Sequence, residues 1–262
     1  MISFSAVLTA FVFALSDISL RNALRFASPV AASLVTVAIQ WLIYTAILLA
    51  TGMFSTLHLT GLLWFALAGI VNPILFLTFY LLAIQRIGVA RSSPIKGSAP
   101  IFAVGFAVAV LGERLAPLQY AGIALVVAGI ISLSAEGAGA GGGAADRPVA
   151  PGRPSGLGAG AAFALLAGLS AGIASNLFKI GLGRLPSPLL GAWVGASEGL
   201  LLFPLVAFLF PKNERFRLSA PAWPWLLAAG ATATAAVYGL FFSIGLGRIS
   251  IVFPLVQTSP LF

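Results

Sequence analysis

Long, nearly uninterrupted apolar runs constrain this chain more than any single motif does. A helix that crosses a hydrocarbon layer about 30 Å thick needs roughly 20 consecutive, mostly apolar residues. Against that ruler the sequence predicts eight full spans, at 3–24, 29–51, 60–84, 88–111, 117–134, 156–180, 187–209 and 221–246. A ninth starts near Ile249 and can be followed to Phe262. That is about 14 residues or ~21 Å of helix, so the expectation is a span cut short. Spans of this kind exclude a transmembrane β-barrel, whose strands are about 10 residues long and alternate in polarity. The first span has no basic stretch before it and carries Asp17 and Arg21, which marks a retained helix and not a secretory leader.

Only 8% of the 262 residues are charged and 60% are hydrophobic. Soluble domains carry about 25% charged residues, so a soluble enzyme, a nucleic-acid-binding domain and a disordered chain are all excluded. The net charge of +8 is then a property of loops, where Lys and Arg gather on the cytoplasmic side of a membrane, and implies no nucleic-acid partner. With no cysteine and one histidine, His58, in a short predicted loop, the chain has no metal site to offer. Six acids scattered along the chain supply no convergent catalytic set, and no phosphate-binding loop of the GxxxxGK[ST] type is present. The expectation is a protein without cofactor or enzymatic activity, whose partners are the lipid bilayer and a small-molecule substrate.

A Gly/Ala/Pro-rich segment at 135–155 reads as a flexible linker. The sequence on its two sides is related. Ala14-Leu15-Ser16 through Asn22 and Arg25 matches Gly168-Leu169-Ser170 through Asn176 and Lys179; Ser28-Pro29 matches Ser187-Pro188; Trp64 and Gly69 match Trp225 and Gly230; and Arg86 matches Arg248. The best match aligns Pro94 through Phe102 with Pro254 through Phe262, at an offset of 160. Five spans before the linker is an odd number, so a second five-span unit enters the membrane the other way up. The predicted fold is an all-α polytopic membrane protein, a ten-helix inverted five-helix repeat of which about eight and a half helices are present. Its units are 1–134 and 156–262, the latter truncated in the ninth helix. Such repeats bind substrate near the midplane, between the halves.

The fourth span and its exit carry Pro100-Ile101-Phe102, Leu111-Gly112-Glu113-Arg114-Leu115, then Gln119, Gly122 and Gly129. This resembles the EamA-type repeat of the drug/metabolite transporter superfamily, most specifically over 94–130. The resemblance implies ten helices, no cofactor, and export or exchange of amino acids, metabolites or drugs at a plasma membrane, by analogy the bacterial inner membrane. Related branches carry nucleotide sugars or lipids, and a carrier of nucleotide-linked or lipid-linked sugar is one alternative. A non-transporting membrane assembly subunit is another. The resemblance favours both termini on the cytoplasmic side, whereas the Lys/Arg count is seven to four for the opposite orientation, so neither is adopted. Oligomeric state has no signature in the sequence.

Charge inside a bilayer costs about 2.5–3.5 kcal/mol at a helix centre on insertion scales, so deep polar residues are candidates for function. Glu198 and Lys96 lie deep in different halves, with opposite sign, and a cavity between the halves could hold both, with Glu198 able to carry a coupling proton. Asp17 and Arg21 are a helical i, i+4 pair, with Arg25 an interfacial anchor. Gln40 and Asn72 are central amides, Asn22 and Asn176 are repeat partners expected to act as helix glue, and Tyr238 joins Trp41, Tyr44 and Tyr80 as possible pocket aromatics. Ser98, Gln257 and Thr258 lie between prolines. Pro94, Pro100, Pro254 and Pro260 interrupt apolar spans at equivalent places, which predicts two bent helices beside the substrate route. Glu113 and Arg114 fall at a turn and read as a cap or an interfacial ion pair.

Overall fold

The computed structural model describes residues 2–56, 59–87, 91–92, 95, 97–139, 157–207 and 216–259. Among them the chain forms ten α-helices: α1 (Ile2–Ala23), α2 (Pro29–Thr51), α3 (Leu59–Gly69), α4 (Leu77–Ile87), α5 (Ala99–Ala109), α6 (Pro117–Gly139), α7 (Leu157–Arg184), α8 (Pro188–Ala207), α9 (Trp223–Leu246) and α10 (Ile249–Val256). The one β feature among the described residues is an isolated bridge between Ala27 and Leu218. Four helices are long and apolar enough to cross a bilayer outright, Ser3–Ala23, Pro29–Thr51, Gly158–Arg184 and Ala220–Leu246. The protein is an all-α polytopic membrane protein.

Helix ends follow from the chemistry of the flanking residues. Ser28 accepts a hydrogen bond from the Ala31 amide at 3.3 Å, with Pro29 at the first helical position of α2. Ser187 caps α8 in the same way, its hydroxyl taking the Leu190 amide at 3.3 Å. A side-chain oxygen there satisfies an amide that has no helical partner, and proline loses nothing where no amide bond is needed. The Ser28 hydroxyl also accepts from the Arg217 amide at 3.0 Å, which ties the α1–α2 turn to the entrance of α9.

The third predicted span is not one α-helix. Between α3 and α4 the residues Ile70–Phe76 form a π-helical segment. Pro73 has no amide proton to close an α-turn onto Gly69, and a wider turn with i→i+5 bonds accommodates that loss. The fourth span is also broken. The chain turns at Gly97 and Ser98, and α5 starts at Ala99. Pro100 therefore lies in the first turn of a helix and does not kink a helix interior, whereas Pro254 is inside α10. Helix α6 continues to Gly139, past the 134/135 boundary read from composition.

Close contacts give the relative directions of the helices. Gly61 meets Leu185 and Gly181 meets Phe65, so α3 and α7 are antiparallel. The Trp41 indole donates to Ser197 at 3.0 Å and the Trp193 indole to Thr45 at 2.9 Å, so α2 and α8 are antiparallel. Thr9 meets Gly239 and Ser243 bonds Ser5, so α1 and α9 are antiparallel. In contrast, α2 runs parallel to α9 (Ile39 with Gly230, Tyr44 with Thr234), and α3 runs parallel to α8 (Phe65 with Gly191, Gly69 with Glu198). It follows that α1 and α7 point opposite ways, as do α2 and α8, and α3 and α9.

The neighbours repeat under the same exchange. Helix α1 packs on α9 and α10, and α7 packs on α3–α4 and α5. Helix α2 packs on α9, and α8 on α3; α2 with α8, and α5 with α10, complete the set. Glycine and alanine make the closest of these approaches possible, as at Gly172, which lies against the α5 backbone, and Gly230, which lies against Ile39.

Candidate functional site

A cavity of about 470 Å³ lies where the two halves meet, a size that suits a small organic ligand, for which pockets of roughly 300–1,000 Å³ are usual. From the first half come Phe13 and Asp17 of α1, Asn72 and Phe76 of the π segment, and Gly97 with Ala99. The second half supplies Ser175 and Phe178 of α7, Ile244 of α9, and Phe253, Gln257 and Ser259 at the end of α10 and just beyond. Phe178, Ile244 and Phe253 are buried and form a floor, while Asp17 and Asn72 are exposed at the rim. Four phenyl rings with a carboxylate, two amides and two hydroxyls make a mostly apolar container with a few polar contacts.

The broken helices border this cavity in matching ways. The Ser98 hydroxyl donates to the Ile95 carbonyl at 2.7 Å, and the Thr258 hydroxyl donates to the Leu255 carbonyl at 2.6 Å. The amides of the same two residues bond the same two carbonyls, at 3.1 and 3.2 Å. These four residues pair at the offset of 160 seen in the sequence. So do Gly97 with Gln257 and Ala99 with Ser259, all of which line the cavity. A hydroxyl that seals the last carbonyl lets a helix stop inside the membrane without leaving a polar group unmet.

Of the residues singled out from sequence, Asp17, Asn72 and Gln257 face the cavity together. Arg21 lies one turn beyond Asp17, exposed and outside the lining, and Arg25 is exposed at the turn after α1. Gln40 is half-buried on α2, away from the cavity. Ser98 and Thr258 brace the helix breaks and do not face the cavity, and Pro254 is buried in α10. Pro100 is fully buried at the start of α5. Lys96, Pro94, Pro260 and His58 lie outside the described residues.

Glu198 does not line the cavity. It is half-buried on α8 and its carboxyl fills the notch left by the missing side chain of Gly69, where α3 passes into the π segment. Its Oε2 is buried and has no hydrogen-bond partner among the described residues. The sequence predicts for it a place with Lys96 in a cavity between the halves, whereas the rotation of α8 turns it toward α3.

The aromatic candidates divide by contact. Tyr44 is fully buried and its hydroxyl donates to the Thr234 carbonyl at 2.7 Å, while Trp41 bridges α2 and α8. Tyr238 is exposed and stacks on Phe242, its ring 6.2 Å away, and Tyr80 stacks on Phe76 at 5.9 Å. None of these four residues lines the cavity. The phenyl rings that do, together with Ser175 and Ser259, escaped sequence reasoning, because Phe is the commonplace filling of an apolar span. Asn176 joins helices across the halves, its amide donating to Ala103 at 3.0 Å and Gly172 at 2.8 Å, whereas the Asn22 amide donates within its own helix, to Ile18.

The turn after α5 makes its own contacts. Gly112 has φ +68°, a conformation that favours glycine. Glu113 accepts from the Ile249 amide at 2.9 Å, the Ser250 amide at 3.1 Å and the Ser250 hydroxyl, and so caps α10. Arg248 donates to the Arg114 carbonyl at 2.8 Å. Gln119 accepts from the Ala116 amide at 2.8 Å at the start of α6. Of the residues that carried the resemblance, Glu113 and Gln119 thus act as caps.

Fold and cavity together define a class: a polytopic α-helical membrane protein with a solute-sized chamber between packed bundles. The family model described as the EamA-like transporter family matches residues 1–135, and the chain belongs to that family of membrane transporters. A solved structure described only as "Crystal structure of protein" aligns with 99% of this chain and 83% of its own, at a TM-score of 0.73 and 22% identity, which is a likeness of fold. Among curated proteins, none matches.

Proposed function

We propose that this protein is a secondary carrier, working as an exporter of small organic solutes such as amino acids, metabolites or drugs, in a bacterial inner membrane. The observation that carries the reading is the cavity of about 470 Å³ lined by equivalent breaks in two oppositely directed sets of helices. Two units, 1–134 and 156–262, rock against each other and expose the chamber to each side in turn. Asn72 and Gln257 hydrogen-bond the polar part of the solute, the phenyl rings cover its apolar body, and Asp17 at the rim sets a preference by charge. Glu198 is the proposed coupling group. It is a carboxyl in an apolar helix with one oxygen unmet among the described residues, placed at the joint from which the π segment carries Asn72 to the cavity. A proton taken up there would move α3 against α8.

Efflux from loaded cells tests the reading. Cells expressing the chain would be loaded with a panel of amino acids, metabolites and cationic dyes, and compared with cells expressing Gln257→Ala or Asp17→Asn at matched membrane levels. Faster loss of one solute class with the parent, reduced in either variant, is the expected result. Retention equal to that of empty cells for every solute would overturn it.

A further inference from the structure

The floor of the cavity is backed by a cluster of charged groups that the solute site does not use. Phe178 is followed directly by Lys179, whose ammonium donates to the Ile244 carbonyl at 2.5 Å and the Gly247 carbonyl at 2.6 Å. Those are carbonyls at the C-terminal end of α9, where helical partners run out. One turn before Phe253, the N-terminal amides of α10 are taken by Glu113. The corner between α9 and α10 is therefore held at both helix ends, by a cation at the negative end of one dipole and an anion at the positive end of the next. Arg248, inside the corner, reaches back to the Arg114 carbonyl.

The origins of these groups decide what the cluster can do. Lys179, α9 and α10 belong to the same half, so their bonds hold that half's corner rigid. Glu113 and Arg114 belong to the other half. The Glu113 bonds and the Arg248 bond join the two halves on the side of the floor away from the exposed rim of Asp17 and Asn72. A charge-assisted cap has two useful properties here. It is strong while the amides lie within about 3 Å, and it is lost as a unit when the helix end moves away.

We propose that Glu113 is the latch of this face: seated on α10 it holds the floor shut, and its release opens the cavity toward the side on which Glu113 lies. The proposal rests on the carrier reading for its purpose, but the latch itself is a matter of which side reaches the cavity. In this structure the latch is closed. The Gly112 turn gives Glu113 its direction, and the Ser250 hydroxyl adds a third donor. Arg114 takes part through its backbone, so its side chain is dispensable to the latch.

The chain has no cysteine, so Ser175→Cys places a single thiol in the cavity wall. Vesicles of both orientations would be treated with a membrane-impermeant charged maleimide. With Glu113 intact, labelling comes from the rim face only. Glu113→Ala, which loses all three donors, should raise labelling from the latch face by about tenfold or more, and Glu113→Gln, which keeps one neutral acceptor oxygen, by less. Ser250→Ala should raise it less, and Arg114→Ala should leave it unchanged. Retained rim-face labelling reports that each variant is folded. No change from the latch face in any Glu113 or Ser250 variant that keeps rim-face labelling would overturn the latch. A variant that fails to fold is replaced by the pair Glu113→Cys and Ser250→Cys, without the cavity thiol. Its oxidation should abolish solute flux and its reduction restore it, and flux indifferent to that disulfide would equally overturn the latch. If the parent moves no solute, the carrier reading fails while labelling still decides the latch.

Discussion

Replacing Gly172 by alanine tests whether the halves really meet as closely as the helix crossing of α5 and α7 requires. A Cβ at 172 would lie 2.7 Å from the Ala103 nitrogen, 2.9 Å from the Phe102 Cβ and 3.0 Å from the Phe102 carbonyl carbon. Ordinary contact is about 3.5 Å or more, so the backbones must part by up to ~0.8 Å, and two of the three atoms belong to the main chain and cannot swing aside. Overpacking of this kind costs about 1–3 kcal/mol. The same movement weakens the 3.0 Å bond from Asn176 to the Ala103 carbonyl, worth about 0.5–1.5 kcal/mol. Alanine returns about 1 kcal/mol through helix propensity. The net expectation is a loss of roughly 0.5–3.5 kcal/mol, the sum of those terms. Gly183 is the control. It is on the same helix with nothing within 4 Å, so Gly183→Ala should gain about 0.5–1 kcal/mol. Unfolding in mixed micelles by added sodium dodecyl sulfate, followed by the fluorescence of the five tryptophans, would measure both. A separation of about 1–4.5 kcal/mol, at least about fivefold in the unfolding equilibrium, is expected. Gly172→Ala as stable as Gly183→Ala would refute the close crossing.

Three further outcomes follow from single contacts. Gly112→Ala should cost about 1–2 kcal/mol in the same unfolding assay, because its φ of +68° is strained for any residue with a Cβ. Trp193→Phe removes the 2.9 Å bond to Thr45 between α8 and α2 and should cost about 0.6–2 kcal/mol, the range for interhelical hydrogen bonds in membranes; an unchanged unfolding midpoint would count against that bond. Glu198→Gln should leave the protein folded, by the same assay, and make solute flux indifferent to an imposed pH gradient. Flux that still follows the gradient would remove Glu198 from coupling.

What could be read in advance depended on the range of the interaction. The spans are legible because a bilayer demands long apolar runs whatever the tertiary packing. Ser28-Pro29 and Ser187-Pro188 are legible as matching span openings, and the structure adds that both serines cap their helices. Asp17, Asn72 and Gln257 stand out because a polar side chain in an apolar helix needs a reason to be there. Glu198 stood out equally, yet its direction depends on how α8 is rotated against α3, which is a property of the whole packing. The partner of Glu113 is 136 residues away, and a local reading finds a cap without finding the helix it caps. The break in the third span required knowing that the wall there lines a cavity, since Pro73 alone is compatible with a simple kink. The phenyl rings that line the chamber are the least legible, because nothing in composition separates a ring facing solute from one facing a neighbouring helix.

The most direct test of the chamber as the solute site is protection of a cavity thiol. Purified Ser175→Cys protein in liposomes would be reacted with maleimide at increasing concentrations of a solute found to be exported. Labelling should slow in a saturable way, and the combined Asn72→Ala and Gln257→Ala changes should move the half-point to higher concentration by about tenfold or more, as expected for two lost hydrogen bonds of about 1 kcal/mol each. A solute that crosses the membrane through the protein yet leaves the labelling rate at Ser175→Cys unchanged would show that transport does not pass through this cavity.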